Sequence, residues 1–560
     1  MPHTSIVYIM KSYFVLVAIL LLAVFVRMVY LGSLPLGFHE DEVLVGYVGG
    51  FILEHGFDLY RNPWPMWYFD KFGDFYIIGP FYLSGLSTYI FGITEFAVRF
   101  PAAILGGLSV LPLYGFVQQL FRNKKVALLS ALFLAISPWH IVFSRSSSEG
   151  IIGSAICLCA IYFMIRSIRH HSYISLGVGL SCFLLTYWVY HPFRVYTPAF
   201  LLFTLYFFFR SIQTYRFRVM MIISIVLFAL LTLWIMSTPW GKGRLQQTSI
   251  FGDGSGVSIR IQELIYDAGN NNIMTARVLH NKVVGYGREF VRQYTRYISP
   301  TYLFVDGWGE KFYMREQGMF YFTYLLYLIG FVWYLSSAIR SASQRDAHIY
   351  FLCLLIFSLI PPSMTFINSP NMNRAAMFGV LMIPIFAQGA VMLLDHHRRI
   401  SILLFVFLAF EFVYFCFSYR LHFDSANATY RSDAMKPLIQ NIERYENRRV
   451  FLPDDTTRAI YYLFYTKNFD AELAGKFKFE AKIPQINNLY FIPESNCMDE
   501  PDKISEAGAK IGDIIVLKYT CPMSKVEKTG LRHIELIKQV SPIMGYNVYE
   551  YVGLPARATR

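Results

Sequence analysis

Long apolar runs broken by short polar stretches dominate this chain. Runs such as Tyr13 to Tyr30 and Val219 to Met236 reach the roughly 20 residues that a helix needs to cross a bilayer's hydrocarbon. The same reading along the chain predicts spans at about 12–31, 102–121, 126–140, 149–166, 173–190, 195–210, 217–237, 317–338, 346–362, 373–393 and 400–419, or eleven transmembrane helices. One further run, Tyr76 to Gly92, is short, interrupted by Gly79, Pro80 and Gly85, and rich in Phe and Tyr. It is expected to be a helix at the membrane interface; if it crossed, the count would be twelve.

Two stretches depart from this pattern. After Gly37, the residues Leu44, Tyr47, Val48, Phe51 and Ile52 follow i, i+3, i+4, i+7, i+8 spacing, which predicts an amphipathic helix from Asp41 to Ile52 lying on the membrane. From about residue 421, polar turns separate strand-like segments such as Arg449 to Asp455 and Asp513 to Tyr519. The expected fold class is therefore an all-α polytopic membrane domain, residues 1–420, with a small C-terminal α/β domain, residues 421–560. In this scheme a first outer loop covers 33–101 and a long outer loop 240–316.

Composition agrees: 55% of the 560 residues are hydrophobic and only 16% charged, with a mean hydropathy of +0.40, which excludes a soluble domain of this length. The net charge of +13 would suit a nucleic-acid partner, but the cations sit between spans: Arg122, Lys124 and Lys125; Arg166 and Arg169; Arg210, Arg216 and Arg218; Arg340 and Arg345; Arg398 and Arg399. With Lys11 in the cytoplasm, the positive-inside rule assigns all five groups to that side and the tail to the other. The first apolar run lacks a small-residue cleavage site and reads as an uncleaved anchor. Five of the seven cysteines fall in apolar runs. Cys497 and Cys521 lie in polar sequence and could pair in an oxidising compartment or remain two buried thiols.

Candidate chemistry collects at the outer helix ends, in LGFHEDEVLVGY (36–47), WYFDKFGDFYIIGP (67–80), SPWHIVFSRSSSEG (137–150), YWVYHPFRVYTP (187–198) and PPSMTFINSPNMNRAAMFG (361–379). An acid pair at a helix start is ordinarily a cap, and a lone arginine ordinarily snorkels to headgroups. Asp41, Glu42, Arg145, Glu149, His191, Arg194 and Arg374 at one level instead suggest a base facing an anionic substrate. That set suits group transfer from a lipid phosphate: a carboxylate accepts the proton of the attacking hydroxyl, and cations stabilise the departing phosphate. There is no P-loop, and Phe251 to Ser258, although glycine-rich, reads as a flexible loop. Glu411, inside the last span, invites the rival reading of a lipid-linked-sugar transporter or flippase, or a non-catalytic lipid-binding scaffold.

Over about residues 12–420 these motifs resemble the membrane glycosyltransferases of the C fold, in particular family 39, with its protein O-mannosyltransferases and the related lipid A aminoarabinose transferases. The carriers are Asp41 and Glu42 after the first span, Phe72 to Asp74, Arg99 to Pro101, SPWHIVFSR with Glu149, Tyr190 to Arg194, and Arg374. The resemblance implies an enzyme of the cell envelope, with its active site and C-terminal domain on the extracytoplasmic side of the plasma (inner) membrane. It implies a polyprenyl-phosphate sugar donor and an acceptor protein, lipid or glycan. Asp41 would be the catalytic base, Glu42 the neighbour shaping its field, and Glu149 a second acid positioning substrate; Asp41 and Glu149 could also hold a divalent metal. Asp74, Arg145, His191, Arg194 and Arg374 are the implied substrate-binding groups. Where relatives commonly carry a phosphate-binding lysine this chain has Tyr76, and Lys71, five residues earlier, could substitute only if the loop is re-routed.

Overall fold

In the computed structural model, which describes residues 3–71, 73–212, 214–268, 272–307, 313–314, 316–338, 342–454, 458–477, 485–493, 497–498, 500–522, 526, 529–538, 540 and 545–553, polar caps punctuate the apolar helices. Asn123 caps Lys124–Ile136, Ser148 caps Glu149–His170, and Ser172 caps Tyr173–Tyr187, each side chain accepting a backbone N–H of the first turn. These caps satisfy donors that a helix start leaves unpaired. Of the sequence landmarks above, Phe72, Arg340 and Asp455 lie outside the described residues.

Each of the eleven predicted apolar runs contains a helix. Among the described residues six are long and apolar enough to cross a membrane: Glu95–Phe121, Glu149–His170, Tyr215–Ser237, Arg345–Ser363, Ala376–His396 and Arg398–Leu421. A seventh would be Lys124–Ile136 with Pro138–Ser144, two helices meeting at 56°. The run expected at the interface contains the helix Gly79–Phe91, whose 13 residues rise about 20 Å, short of the roughly 30 Å of hydrocarbon.

The chain divides into two compact units. The first comprises residues 1–29, 67–79 and 102–417, the second 30–66, 80–101 and 418–560. In the first unit the bend at Pro138 has a clear cause: proline holds the preceding Ser137 extended and cannot donate to the ladder. The Ala135 carbonyl thus loses its helix partner and that of Leu134 keeps only the Ser137 N–H at 3.3 Å, and Arg27, fully buried, donates to Leu134 at 3.1 Å and Ala135 at 3.0 Å. Its guanidinium also meets His140 Nδ1 at 2.8 Å. Strands β1 (Tyr68–Lys71) and β2 (Asp74–Ile77) form an antiparallel hairpin with Lys71 opposite Asp74 and Phe69 opposite Tyr76. Asp70 accepts the Gly73 N–H at 2.6 Å and closes the turn.

The second unit holds the helix Glu40–His55 and a six-stranded sheet. Its strands are β3 (Val450–Asp454), β4 (Gln485–Ile486), β5 (Leu489–Pro493), β6 (Ile514–Lys518), β7 (Leu531–Ile537) and β8 (Tyr546–Tyr551), in the order β4-β5-β3-β6-β8-β7. The two segments read as strand-like from sequence are the adjacent parallel strands β3 and β6. Cys497 and Cys521 are joined by a disulfide, with Cα atoms 5.4 Å apart, against a core of Phe451, Ile515, Leu517 and Tyr549.

Candidate functional site

In the second unit the acidic stretch becomes the first turn of the helix Glu40–His55. His39 is its N-cap: Nδ1 accepts the N–H of Asp41 at 3.2 Å, while the His39 N–H donates to Glu42 Oε2 at 3.1 Å. This reciprocal arrangement is a capping box with an imidazole in place of the usual hydroxyl. Because Nδ1 accepts, the ring is neutral, and burial pushes its pKa below the ordinary value. The 3.5 Å approach of His39 Nδ1 to Asp41 Oδ2 is therefore not an ion pair at neutral pH. The Asp41 side chain keeps about a third of its surface exposed.

Glu42 has the opposite environment. It is buried, with Oε1 accepting Arg99 Nε at 3.1 Å and Oε2 accepting Arg431 Nη1 at 3.1 Å. Burial raises its pKa, but the two guanidiniums and the hydrogen bonds outweigh burial and hold the carboxyl at about 2. Arg99 also donates to the carbonyls of Pro35 at 2.9 Å and Gly37 at 2.6 Å, and the Arg431 carbonyl accepts the Phe38 N–H at 2.7 Å. Gly37 sits at φ +75, and a Cβ there would run into the Arg431 carbonyl, so the close approach requires glycine. Glu42 thus anchors the loop that presents Asp41. A cavity of about 350 Å³ in the same unit is lined by Pro35, Glu95, Arg99, Lys436, Tyr465 and Lys538, and Lys436 pairs with Glu95 at 2.9 Å.

In the first unit the β1–β2 hairpin brings Lys71 alongside Tyr76. Strand alternation puts Lys71, Asp74 and Tyr76 on one face, with Lys71 Nζ 5.4 Å from the Tyr76 ring centre. On the same ring, at 5.7 Å, lies the guanidinium of Arg244, which also pairs with Asp74. Sequence reading missed Arg244, although Thr238 followed by Pro239 is a helix-start signal. Indeed Thr238 caps the helix Pro239–Thr248, which carries Arg244 to the hairpin and lets Gln247 donate to the Gly73 carbonyl at 2.8 Å.

His191 and Arg194 support this hairpin from behind. Arg194, buried, lies 5.1 Å from the Trp240 ring centre and 3.2 Å from His191 Nδ1. An accepting Nδ1 leaves Nε2 as donor, and it meets the Phe75 carbonyl at 3.3 Å. Burial, then the cations Arg194 and Arg244, drive the His191 pKa well below its ordinary value, so the ring is a neutral spacer.

Glu149 opens the helix Glu149–His170. Asn373, also missed from sequence, binds this helix start: Oδ1 accepts from Ser148 Oγ at 2.6 Å and from the Gly150 N–H at 3.1 Å, and Nδ2 lies 3.4 Å from Glu149 Oε2. Arg374 beside it donates to Thr365 Oγ1 at 3.0 Å and to the Ile367 carbonyl at 2.5 Å. Tyr190 feels Arg374, Glu149 and Arg244 together, so these three charges share one neighbourhood. Arg145 does not join them: buried, it donates to the carbonyls of Val26 at 2.9 Å and Val29 at 2.7 Å, capping the end of the first helix.

Glu411 also has a structural partner set. Its carboxylate accepts the N–H groups of Phe322 at 2.9 Å and Thr323 at 3.2 Å and the Thr323 hydroxyl, thereby capping the helix Phe322–Ala338. That satisfies an acid in apolar surroundings. Among the described residues no three His, Cys, Asp or Glu side chains gather as a metal-binding set.

A family model described as dolichyl-phosphate-mannose-protein mannosyltransferase matches residues 78–235. That stretch includes Arg99 to Pro101, Glu149 and Tyr190 to Arg194, and excludes Asp41 and Arg374. Among solved structures, an archaeal oligosaccharyltransferase from Archaeoglobus fulgidus in complex with an inhibitory peptide and a dolichol-phosphate is 12% identical, with 98% of this chain and 75% of that one covered and a TM-score of 0.49. A Cupriavidus metallidurans protein, ArnT, bound to undecaprenyl phosphate is 11% identical, with 97% and 98% covered and a TM-score of 0.46. No curated protein matches the chain in sequence. The resemblance to protein mannosyltransferases that the sequence motifs carry is thus matched over residues 78–235, and the long apolar helices are those of an integral membrane protein.

Proposed function

We propose that the protein transfers a sugar from a polyprenyl-phosphate-linked donor to an acceptor hydroxyl at the extracytoplasmic face of the plasma membrane. The observation that carries this reading is the match of residues 78–235 to a family whose members act with dolichyl-phosphate mannose. In the proposed mechanism Lys71, Arg244 and Arg374 bind the donor phosphate, and Glu149 orients the sugar. Asp41, kept accessible at the first turn of its helix, takes the proton of the acceptor hydroxyl as its oxygen bonds to the anomeric carbon. The bond from that carbon to the phosphate oxygen breaks, and lipid phosphate leaves with the electron pair, its charge met by the cations. Displacement in one step inverts the anomeric configuration. The Cys497–Cys521 disulfide supports an oxidising location for the C-terminal domain.

The test is a transfer assay on the purified protein in lipid, with a panel of polyprenyl-phosphate sugars and protein, lipid and glycan acceptors. Release of lipid phosphate with an inverted product is expected; a retained configuration would refute the one-step scheme. Tight donor binding without turnover across the panel would favour a carrier. Within this assay Arg244→Ala raises KM for the donor about tenfold, the loss of one charge-assisted contact of about 1.4 kcal/mol. Unchanged donor KM would remove Arg244 from the phosphate site.

A further inference from the structure

Between the helices Tyr215–Ser237 and Phe322–Ala338, amphipathicity runs the wrong way round for water. The helix Lys282–Tyr297 turns polar groups inward: Glu289 and Gln293 are only 6% and 1% exposed. Glu289 is satisfied there by Arg260 at 3.0 Å, Arg292 at 2.7 Å and Gln293 at 2.7 Å. The outward face of Lys282–Tyr297 carries exposed valines with Arg288 and Thr295 set between them. Val284 and Val291, seven residues apart, share one face of the helix at 40% and 58% exposure, and Ile298, the residue that ends it, is 45% exposed. The preceding helix Val257–Asp267 packs Val257 and Ile261 inward beneath Gly285 while Ile259 and Tyr266, also seven apart, stand outward. The short helix Ile273–Leu279 adds exposed Met274 and Val278.

The membrane-spanning helix Tyr215–Ser237 in the same unit presents Val226 and Leu233 at 50% and 65% exposure. The loop helices therefore expose apolar side chains as fully as a span does. Charge points to the kind of apolar phase. Residues 257–297 carry six Lys and Arg against three Asp and Glu, and their most exposed aromatic is a tyrosine, Tyr266. Apolar stripes fringed by cations and tyrosine are how helices seat at the boundary of headgroups and acyl chains, and anionic headgroups strengthen the attachment.

We infer that the three helices within 257–297 lie in the bilayer interface, with Val284, Val291 and Ile298 in the acyl boundary and the surrounding cations on anionic headgroups. This assignment is independent of the transferase reading. It is tested on the full chain in nanodiscs of phosphatidylcholine with about one third phosphatidylglycerol, nitroxide-labelled at Val291→Cys or, separately, Ile298→Cys. The unsubstituted chain labelled in parallel subtracts the native thiols. Both labels are expected to collide severalfold more often with oxygen than with chelated nickel, and that preference should shrink when phosphatidylglycerol is omitted. Dominant nickel collisions at both sites would mean a water-facing surface and overturn the proposal. So would exclusion of both reagents with dipolar broadening between labels, the mark of a second copy on this face. Depth indifferent to phosphatidylglycerol would overturn the anionic-headgroup assignment.

Discussion

Asp41→Asn lowers transfer by about 10²–10⁴-fold, the usual contribution of a general base, in a chain that folds normally. The substitution keeps shape and removes basicity. The cap contact at this position comes from the backbone N–H of Asp41, which donates to His39 Nδ1, so asparagine preserves it. The side chain is about a third exposed, and no buried charge is lost. Steady-state kinetics should place the loss in kcat and leave KM for the donor almost unchanged, as expected for an interaction made in the transition state. An Asp41→Asn enzyme working at the wild-type rate would sink the assignment. A fall in thermal stability equal to the fall in rate would recast Asp41 as structural.

Glu42→Gln, one residue on, produces a folding defect of about 3–5 kcal/mol, the usual cost of removing one partner from a buried ion pair. It leaves Arg99 and Arg431 facing each other without the carboxylate that both address. The pH dependence has a definite sign. Glu42 titrates near 4.5 in an unfolded chain and at about 2 in place, so its contribution is fully present above pH 4.5 and is lost as pH falls toward 2. The size implied is about 3 kcal/mol, in line with the mutational figure. Thermal unfolding of both proteins across this pH window checks it. A wild type that loses no more stability than Glu42→Gln on acidification would contradict the clamp.

The contrast between these two neighbours explains how much of the site was legible in advance. Hydrophobic spacing after Gly37 located the helix, and the dipole argument put both acids in its first turn. Successive helical residues point about 100° apart, however, so one acid faces outward and the next inward. Which is which depends on Arg431, 389 residues away, and no local pattern reports that. Arg145 failed as a substrate cation for a similar reason. Its Nη1 and Nη2 donate to the carbonyls of Val26 and Val29, a demand invisible until the first helix and Pro138–Ser144 are packed. The bend itself was readable from Ser137 followed by Pro138 but was absorbed into a single predicted span. Lys71 shows the opposite error: hairpin pairing brought it to Tyr76, which linear spacing made look remote. Strands β3 and β6 were easier to read, because runs such as Ile514–Lys518 between polar turns are strand signals in themselves.

The second unit joins residues 30–66 and 80–101 to residues 418–560, and this fixes an order of events during synthesis. Asp41 and Glu42 leave the ribosome early, while Arg431 follows 389 residues later, a delay of about 20–80 seconds at ordinary elongation rates. Every intervening span is made before Glu42 meets its second guanidinium. A nascent chain therefore carries the proposed base on an unfinished support and gains a complete one only once Arg431 has been made. Premature stops upstream of Arg431 should yield inserted chains that are inactive and quickly degraded.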